Sequence, residues 1–177
     1  MRFTLIDTPL ADLTVAERHP LNDARGYLER VFCQDDLANV LRGRTIVQIN
    51  RTLTTATGVV RGMHFQFPPH AEMKFVSCLK GEVFDVAVDL RRNSPTFLRW
   101  YGEILSEKNR KTLIVPEGFA HGFQTLTDNC ELLYLHTAAY AKDAEGALNA
   151  LDPKLAIAWP KWLTPLSGSK FSPDINW

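Results

Sequence analysis

From residue 45 onward the chain is a succession of short segments in which apolar and polar side chains alternate, each closed by a turn signal, with little room for helices between them. The segments are 45–52, 58–66, 74–79, 83–90, 98–105, 112–115 and 131–137. Turn formers separate them: Phe67-Pro68-Pro69-His70, Lys80-Gly81, Arg92-Asn93-Ser94-Pro95 and Thr127-Asp128-Asn129. Parallel strands need long crossovers, usually helices, so this pattern predicts an antiparallel all-β sandwich or barrel, best described as a jelly roll. A single short helix is expected at 35–41, with Asp35 and Asp36 at its start and Gly43 beyond its end. The tail from Asp143, punctuated by Pro153, Pro160, Pro165 and Pro173, is expected to wrap the barrel as loops with short helical turns. No repeat or linker divides the 177 residues, so one domain, 1–177, is the simplest organisation.

Composition narrows the partners. Lys plus Arg number 20 and Asp plus Glu number 20, which leaves no surplus charge for binding a nucleic acid backbone. No apolar run is long enough to span a bilayer, and Asp7 interrupts the first residues too early for a secretion signal. Cys33, Cys78 and Cys130 are sparse and odd in number, which suits reduced thiols in a cytoplasmic protein. Without a secretion signal, the sequon Asn50-Arg51-Thr52 is a chance match. Trp100, Trp159, Trp162 and Trp177 are expected to be packing anchors.

Strand parity then sorts the polar residues. His64 and Gln66 share a face opposite Met63 and Phe65; Lys74 goes with Val76 and Cys78; Asp85 with Val83 and Ala87; Tyr134 with Leu132 and His136. Each polar group is set among apolar neighbours, a costly arrangement unless the groups meet one another or a ligand. Four such residues on separate strands point to a site inside the barrel.

The segment Pro116-Glu117-Gly118-Phe119-Ala120-His121 carries the P-x-G-x-x-H spacing of the second cupin motif. The first motif of metal-binding cupins carries H-x-H, whereas here His64-Phe65-Gln66 keeps one histidine. A metal-free site is therefore expected, with His64, His121 and Glu72 as the alternative two-histidine, one-carboxylate set.

The ordered motifs Asp23-Ala24-Arg25-Gly26-Tyr27-Leu28-Glu29, Arg61-Gly62-Met63-His64-Phe65-Gln66, Gly81-Glu82-Val83-Phe84-Asp85-Val86-Ala87-Val88-Asp89, Ser94-Pro95-Thr96-Phe97 and Pro116 to Phe123 resemble those of dTDP-4-dehydrorhamnose 3,5-epimerases, as do Asp152-Pro153 and Trp159-Pro160. The resemblance implies a cofactor-free, homodimeric cupin jelly roll acting on a nucleotide sugar. It implies His64 as proton acceptor, Tyr134 as proton donor, Lys74 facing the keto oxygen and Asp85 close by. Arg61 and, from a partner subunit, Arg25 would hold the diphosphate or nucleotide. Glu29, Gln48 and Asn50 match nucleotide contacts; Gln66, in the same motif as His64, is implied as a substrate-binding residue; His121, Glu145 and Lys170 match further ligand contacts; and Tyr140 matches an aromatic lining position.

One departure stands out. Where the family ends with L-S-x-K-D, its Asp pairing with the catalytic histidine, this chain has Lys170-Phe171. A histidine without a carboxylate partner loses tautomer control and basicity. Asp174 is a candidate substitute. The alternatives to epimerisation are 3,4-ketoisomerisation on a similar substrate and a sugar-nucleotide-binding module without catalysis.

Overall fold

The structure, a computed structural model, describes residues 2–161. Its strands are β1 (Phe3–Asp7), β2 (Thr14–Arg18), β3 (Leu21–Asp23), β4 (Gly26–Leu28), β5 (Gln48–Thr54), β6 (Val60–Gln66), β7 (Lys74–Lys80), β8 (Glu82–Asp89), β9 (Trp100–Ser106), β10 (Lys111–Val115), β11 (Phe119–Thr125), β12 (Cys130–His136) and β13 (Glu145–Ala147). One helix, α1 (Ala38–Leu41), and a 3-10 turn, Lys142–Ala144, are the helical pieces among the described residues. The strands form an antiparallel six-stranded sheet, β1-β2-β10-β7-β12-β5, and a five-stranded sheet, β13-β6-β11-β8-β9, with β3 and β4 as a separate hairpin. This is the expected cupin-type jelly roll.

Three apolar layers result from the alternation. Between the sheets pack Val76, Cys78, Val83, Ala87, Leu105, Leu113 and Leu132, with Tyr134 at the margin. On the outside of the six-stranded sheet, Phe75, Ile114 and Leu135 meet Leu37 and Leu41 of the α1 region. On the outside of the five-stranded sheet, Met63, Phe65, Val86 and Val88 are covered by Leu148, Ala150 and Leu155, where the chain leaves β13. Strands buried on both faces explain why so many of these segments carry apolar residues at both parities. Trp100 and Trp159 pack edge-on against Phe84 in the last layer, while Trp162 and Trp177 lie outside the described residues.

The helix is shorter than the expected 35–41. Asp36 is held by Arg30 at 3.0 Å, no side chain caps the first turn, and α1 begins only at Ala38. It stops where Arg42 turns left-handed at φ 50°, followed by Gly43 at φ 82°. The cysteines are free thiols, with Cys78 and Cys130 buried. No helix among the described residues is long and apolar enough to cross a membrane.

Candidate active site

A cavity of about 240 Å³ opens between the sheets at the end where β5, β6, β7, β11 and β12 converge. The five-stranded sheet contributes Arg61, His64, Gln66, His121, Phe123 and Glu145; the six-stranded sheet contributes Asn50, Thr52, Lys74, Tyr134 and His136. Glu72 and Tyr140 reach in from loops. His64 and Tyr134 thus come from opposite walls of one cavity.

The register of β6 decides what it shows to this space. His64 pairs with His121 on β11, but Arg61 pairs with Phe123, so one residue is extra on the β6 side between them. This bulge turns Arg61 to the same face as His64, although simple alternation would point it the other way. Gly62, at φ 127°, makes the turn. A Cβ there would lie 2.5 Å from the Gly122 Cα and 2.8 Å from the His121 carbonyl oxygen. Only glycine tolerates both the conformation and the approach.

His64 is half-exposed to the cavity, and its Nδ1 lies 3.5 Å from the Glu145 carboxylate. Burial lowers its pKa below that of a free imidazole; Glu145 pulls it back up, while Lys74, His121 and Arg61 push it down. With Nδ1 turned to the carboxylate, Nε2 is the free basic atom. Glu145 arrives on β13, whose ladder with β6 pairs it with Gln66 and pairs Ala147 with His64. Its other oxygen accepts the Tyr140 hydroxyl at 3.1 Å. A carboxylate beside His64 therefore exists on this chain despite Phe171; Phe171, Asp174 and Lys170 lie outside the described residues.

Tyr134 packs its ring edge-on to His121 and parallel to His136, both at 6.1 Å. Burial first, and the nearby Asp85 charge second, raise its phenol well above the ordinary tyrosine range, so it is a proton carrier across the physiological pH range. Lys74 is buried, with Nζ 3.1 Å from Glu72 and 3.5 Å from the His64 carbonyl oxygen.

Asp85 does not reach the cavity wall. It is fully buried behind His121, whose Nε2 lies 2.9 Å from its Oδ1, and its Oδ2 has no hydrogen-bond partner among the described residues. Its position orients the imidazole of His121. Gln66 is likewise tied up: it donates to the carbonyls of His70 and Ala139 and accepts the Ala141 N–H at 2.6 Å, fixing the loop that carries Tyr140. Gln48 sits at the rim, bonded to Asn50 and to the Tyr140 N–H.

Arg25 and Glu29 are not gathered into this cavity. Arg25 stands at the tip of the β3–β4 hairpin, paired with Asp23 at 2.6 Å and almost fully exposed. Glu29 is turned to the buried Arg18 at 3.3 Å and to Arg110 at 3.6 Å. His64, His121 and Glu72 do not form a metal set, because Glu72 is engaged by His136 and Lys74. No cluster of three His, Cys, Asp or Glu side chains among the described residues could hold a metal ion. Strand parity had already put His136 on the face of Tyr134, but Glu72 lies in a loop, where no periodicity marks it.

A family model described as dTDP-4-dehydrorhamnose 3,5-epimerase matches residues 7–172. The chain belongs to this family. It is 41% identical to the dTDP-4-dehydrorhamnose 3,5-epimerase of Shigella flexneri over 174 residues, 97% of this chain and 93% of that one. The dTDP-6-deoxy-D-glucose-3,5-epimerase of Legionella pneumophila, solved in complex with dTDP-4-keto-L-rhamnose, superposes with a TM-score of 0.85 at 38% identity, covering 92% of this chain and 88% of that one. A 3'-monoepimerase from Streptomyces bikiniensis, solved with dTDP-quinovose, gives 0.84 at 30% identity, covering 92% and 82%.

Proposed function

We propose that this chain is a dTDP-4-dehydrorhamnose 3,5-epimerase, an isomerase of dTDP-rhamnose biosynthesis that inverts a dTDP-4-keto-6-deoxy sugar at C3 and C5. The observation that carries the reading is the opposition of an imidazole and a phenol across one cavity that an ammonium also lines. The hydrogens at C3 and C5 are acidic because each adjoins the C4 carbonyl. His64 Nε2 takes one of them, and the electron pair moves onto the keto oxygen. The ammonium of Lys74 meets the enolate there; a well-placed donor of this kind contributes about a hundredfold or more. Tyr134 then delivers its proton to the opposite face of the carbon, which inverts the centre. His64 gives up its proton and Tyr134 regains one through solvent, so no electrons are gained or lost and the chemistry calls for no redox cofactor.

Arg61, on the same face as His64, holds the diphosphate, and Asn50 and Tyr140 flank the nucleotide. His121, its Nε2–H held by Asp85, leaves Nδ1 to accept from a sugar hydroxyl. Arg25 serves the site of a second copy. The hairpin that carries it exposes Leu21, Tyr27 and Leu28, and the edge strand β5 with the residue before it exposes Ile49, Leu53 and Val47. Apolar surface of this kind suits a homodimer, in which 1–177 forms one cytoplasmic domain per subunit.

Solvent deuterium incorporation into dTDP-4-keto-6-deoxyglucose tests the reading. The expected result is label at both C3 and C5. Label at one carbon only would make the chain a single-centre epimerase. Transfer of the carbonyl to C3 would make it a ketoisomerase, and tight dTDP binding without label would make it a binding module. His64→Ala should abolish incorporation while dTDP affinity is retained.

A further inference from the structure

Glu72 and His136 line the cavity, yet the reaction as drawn gives neither of them a task. Their geometry is tighter than that of any other charged group there. Glu72 uses both carboxylate oxygens: Oε1 lies 3.1 Å from Lys74 Nζ and Oε2 lies 2.7 Å from His136 Nδ1. All three side chains are about nine-tenths buried. His136 and Lys74 are directly opposite each other on β12 and β7. Glu72 is held in reach by the next residue: the Met73 N–H donates to Thr137 Oγ1 at 2.8 Å, and the Thr137 N–H donates to the Met73 carbonyl at 3.1 Å.

We propose that Glu72 and His136 are positioning residues for Lys74, fixing its ammonium, in the charged state, at the pole where the enolate oxygen develops. The proposal rests on the role given to Lys74 above. An isolated buried ammonium is costly and tends to lose its proton. Glu72 offsets that cost with a full negative charge, and the His136 N–H occupies the second oxygen so that the carboxylate keeps one orientation. Burial alone would raise the Glu72 carboxyl, but the His136 hydrogen bond and the Lys74 charge together hold it below the ordinary glutamate range. The other charged or titratable groups around the cavity are Arg61 and His64 on β6, Asp85 on β8, His121 on β11, Tyr134 on β12 and Glu145 on β13. Among the described residues, Glu72 is the carboxylate in ion-pair contact with the Lys74 Nζ, while the buried Asp85 acts on it from farther away. Glu72 is thus the carboxylate placed to hold the Lys74 ammonium in one position.

The test follows Lys74 directly, through the Cε chemical shift of the labelled lysine during a pH titration, beside kcat, KM and dTDP affinity. In Glu72→Gln the Lys74 midpoint should fall by about one unit or more. The alkaline limb of kcat should move to lower pH with it, and kcat should drop on the order of tenfold while dTDP affinity stays within about twofold. His136→Leu should lower kcat as well. His136→Asn, whose amide still donates from the place of Nδ1, should restore most of it. An unchanged Lys74 midpoint in Glu72→Gln would overturn the proposal, as would equal kcat in the two His136 variants or a kcat loss that merely follows lost dTDP binding. If Glu72→Gln does not fold, the two His136 variants decide. If the unaltered protein does not turn over the keto sugar, the proposed function fails, and the Lys74 titration still decides the pairing.

Discussion

His64 and Glu145 meet diagonally across adjacent strands, Nδ1 to Oε1 at 3.5 Å, with the β6–β13 ladder setting Glu145 two residues off the position opposite His64. Glu145 opposes the effect of burial on the imidazole and so maintains its basicity. Glu145→Gln removes that upward pull, and the His64 pKa should fall further. The acidic limb of kcat/KM should therefore move to lower pH, while the plateau drops about tenfold because the base is weaker. A limb that stays in place would assign the tuning of His64 to another group, and Asp174→Asn provides the comparison.

Tyr134→Phe removes the phenol proposed as proton donor and leaves the ring that packs on His121 and His136. Inversion should fall by about 10²–10⁴. His64 can still take and return a proton on its own face, so deuterium should continue to enter without inversion. Because the Tyr134 phenol is raised by burial, its ionisation should not set the alkaline limb of the parent enzyme. Product stereochemistry by NMR reads both effects.

Acid stability should depend on Asp89, which lies away from the cavity. The Asp89 carboxylate is fully buried and receives hydrogen bonds from Arg91, Ser94 and Thr96. Burial alone would raise its pKa, but these donors outweigh it and bring it to about 2, from 3.8. A depressed folded-state pKa contributes stability that is fully present above the unfolded value near 4 and lost as the pH falls through about 2. The contribution is about 2 kcal/mol. Asp89→Asn should cost at least that much at pH 7 and flatten the dependence of unfolding free energy on pH between 4 and 2. Denaturant melts across that range measure it.

Gly62→Ala should be among the most damaging single-methyl changes. The added carbon meets backbone on β11 rather than a side chain that can rotate away. A loss on the order of 3 kcal/mol is expected. Any protein that still folds should bind dTDP more weakly, because Arg61 is displaced along with the bulge. Thermal melting and nucleotide titration separate the two effects.

Much of the site was legible because β-strands alternate. The pairing of Lys74 with Val76 and Cys78, and of Tyr134 with Leu132, follows from parity, and those neighbours do pack between the sheets. Arg61 escaped this logic, since alternation places it with Met63 and the bulge reverses it. Strand β11 was legible as a motif but not as a strand, because every residue from Phe119 to Thr125 is buried and no alternation is left to see. Strands β1 and β2 lack sustained alternation, and their charges, Asp7 in one and Glu17 with Arg18 in the other, fall at their ends. Asp85 was assigned to the correct face, but only coordinates reveal that His121 stands between it and the cavity. Arg25 and Glu29 matched a motif, but neither reaches this cavity: Arg25 pairs with Asp23 at the hairpin tip, and Glu29 turns to Arg18 and Arg110.

His64 belongs to the five-stranded sheet and Tyr134 to the six-stranded sheet, so their spacing is not set by any shared ladder of backbone hydrogen bonds. It depends on the thickness of the filling between the layers, much as the jaws of a vice depend on what they grip. Residues such as Ala87 and Val76, remote in sequence from either group, are therefore the shims of the reaction. A slightly larger or smaller side chain at those positions would retune how far a sugar ring must turn between its two proton transfers, with every catalytic residue left in place.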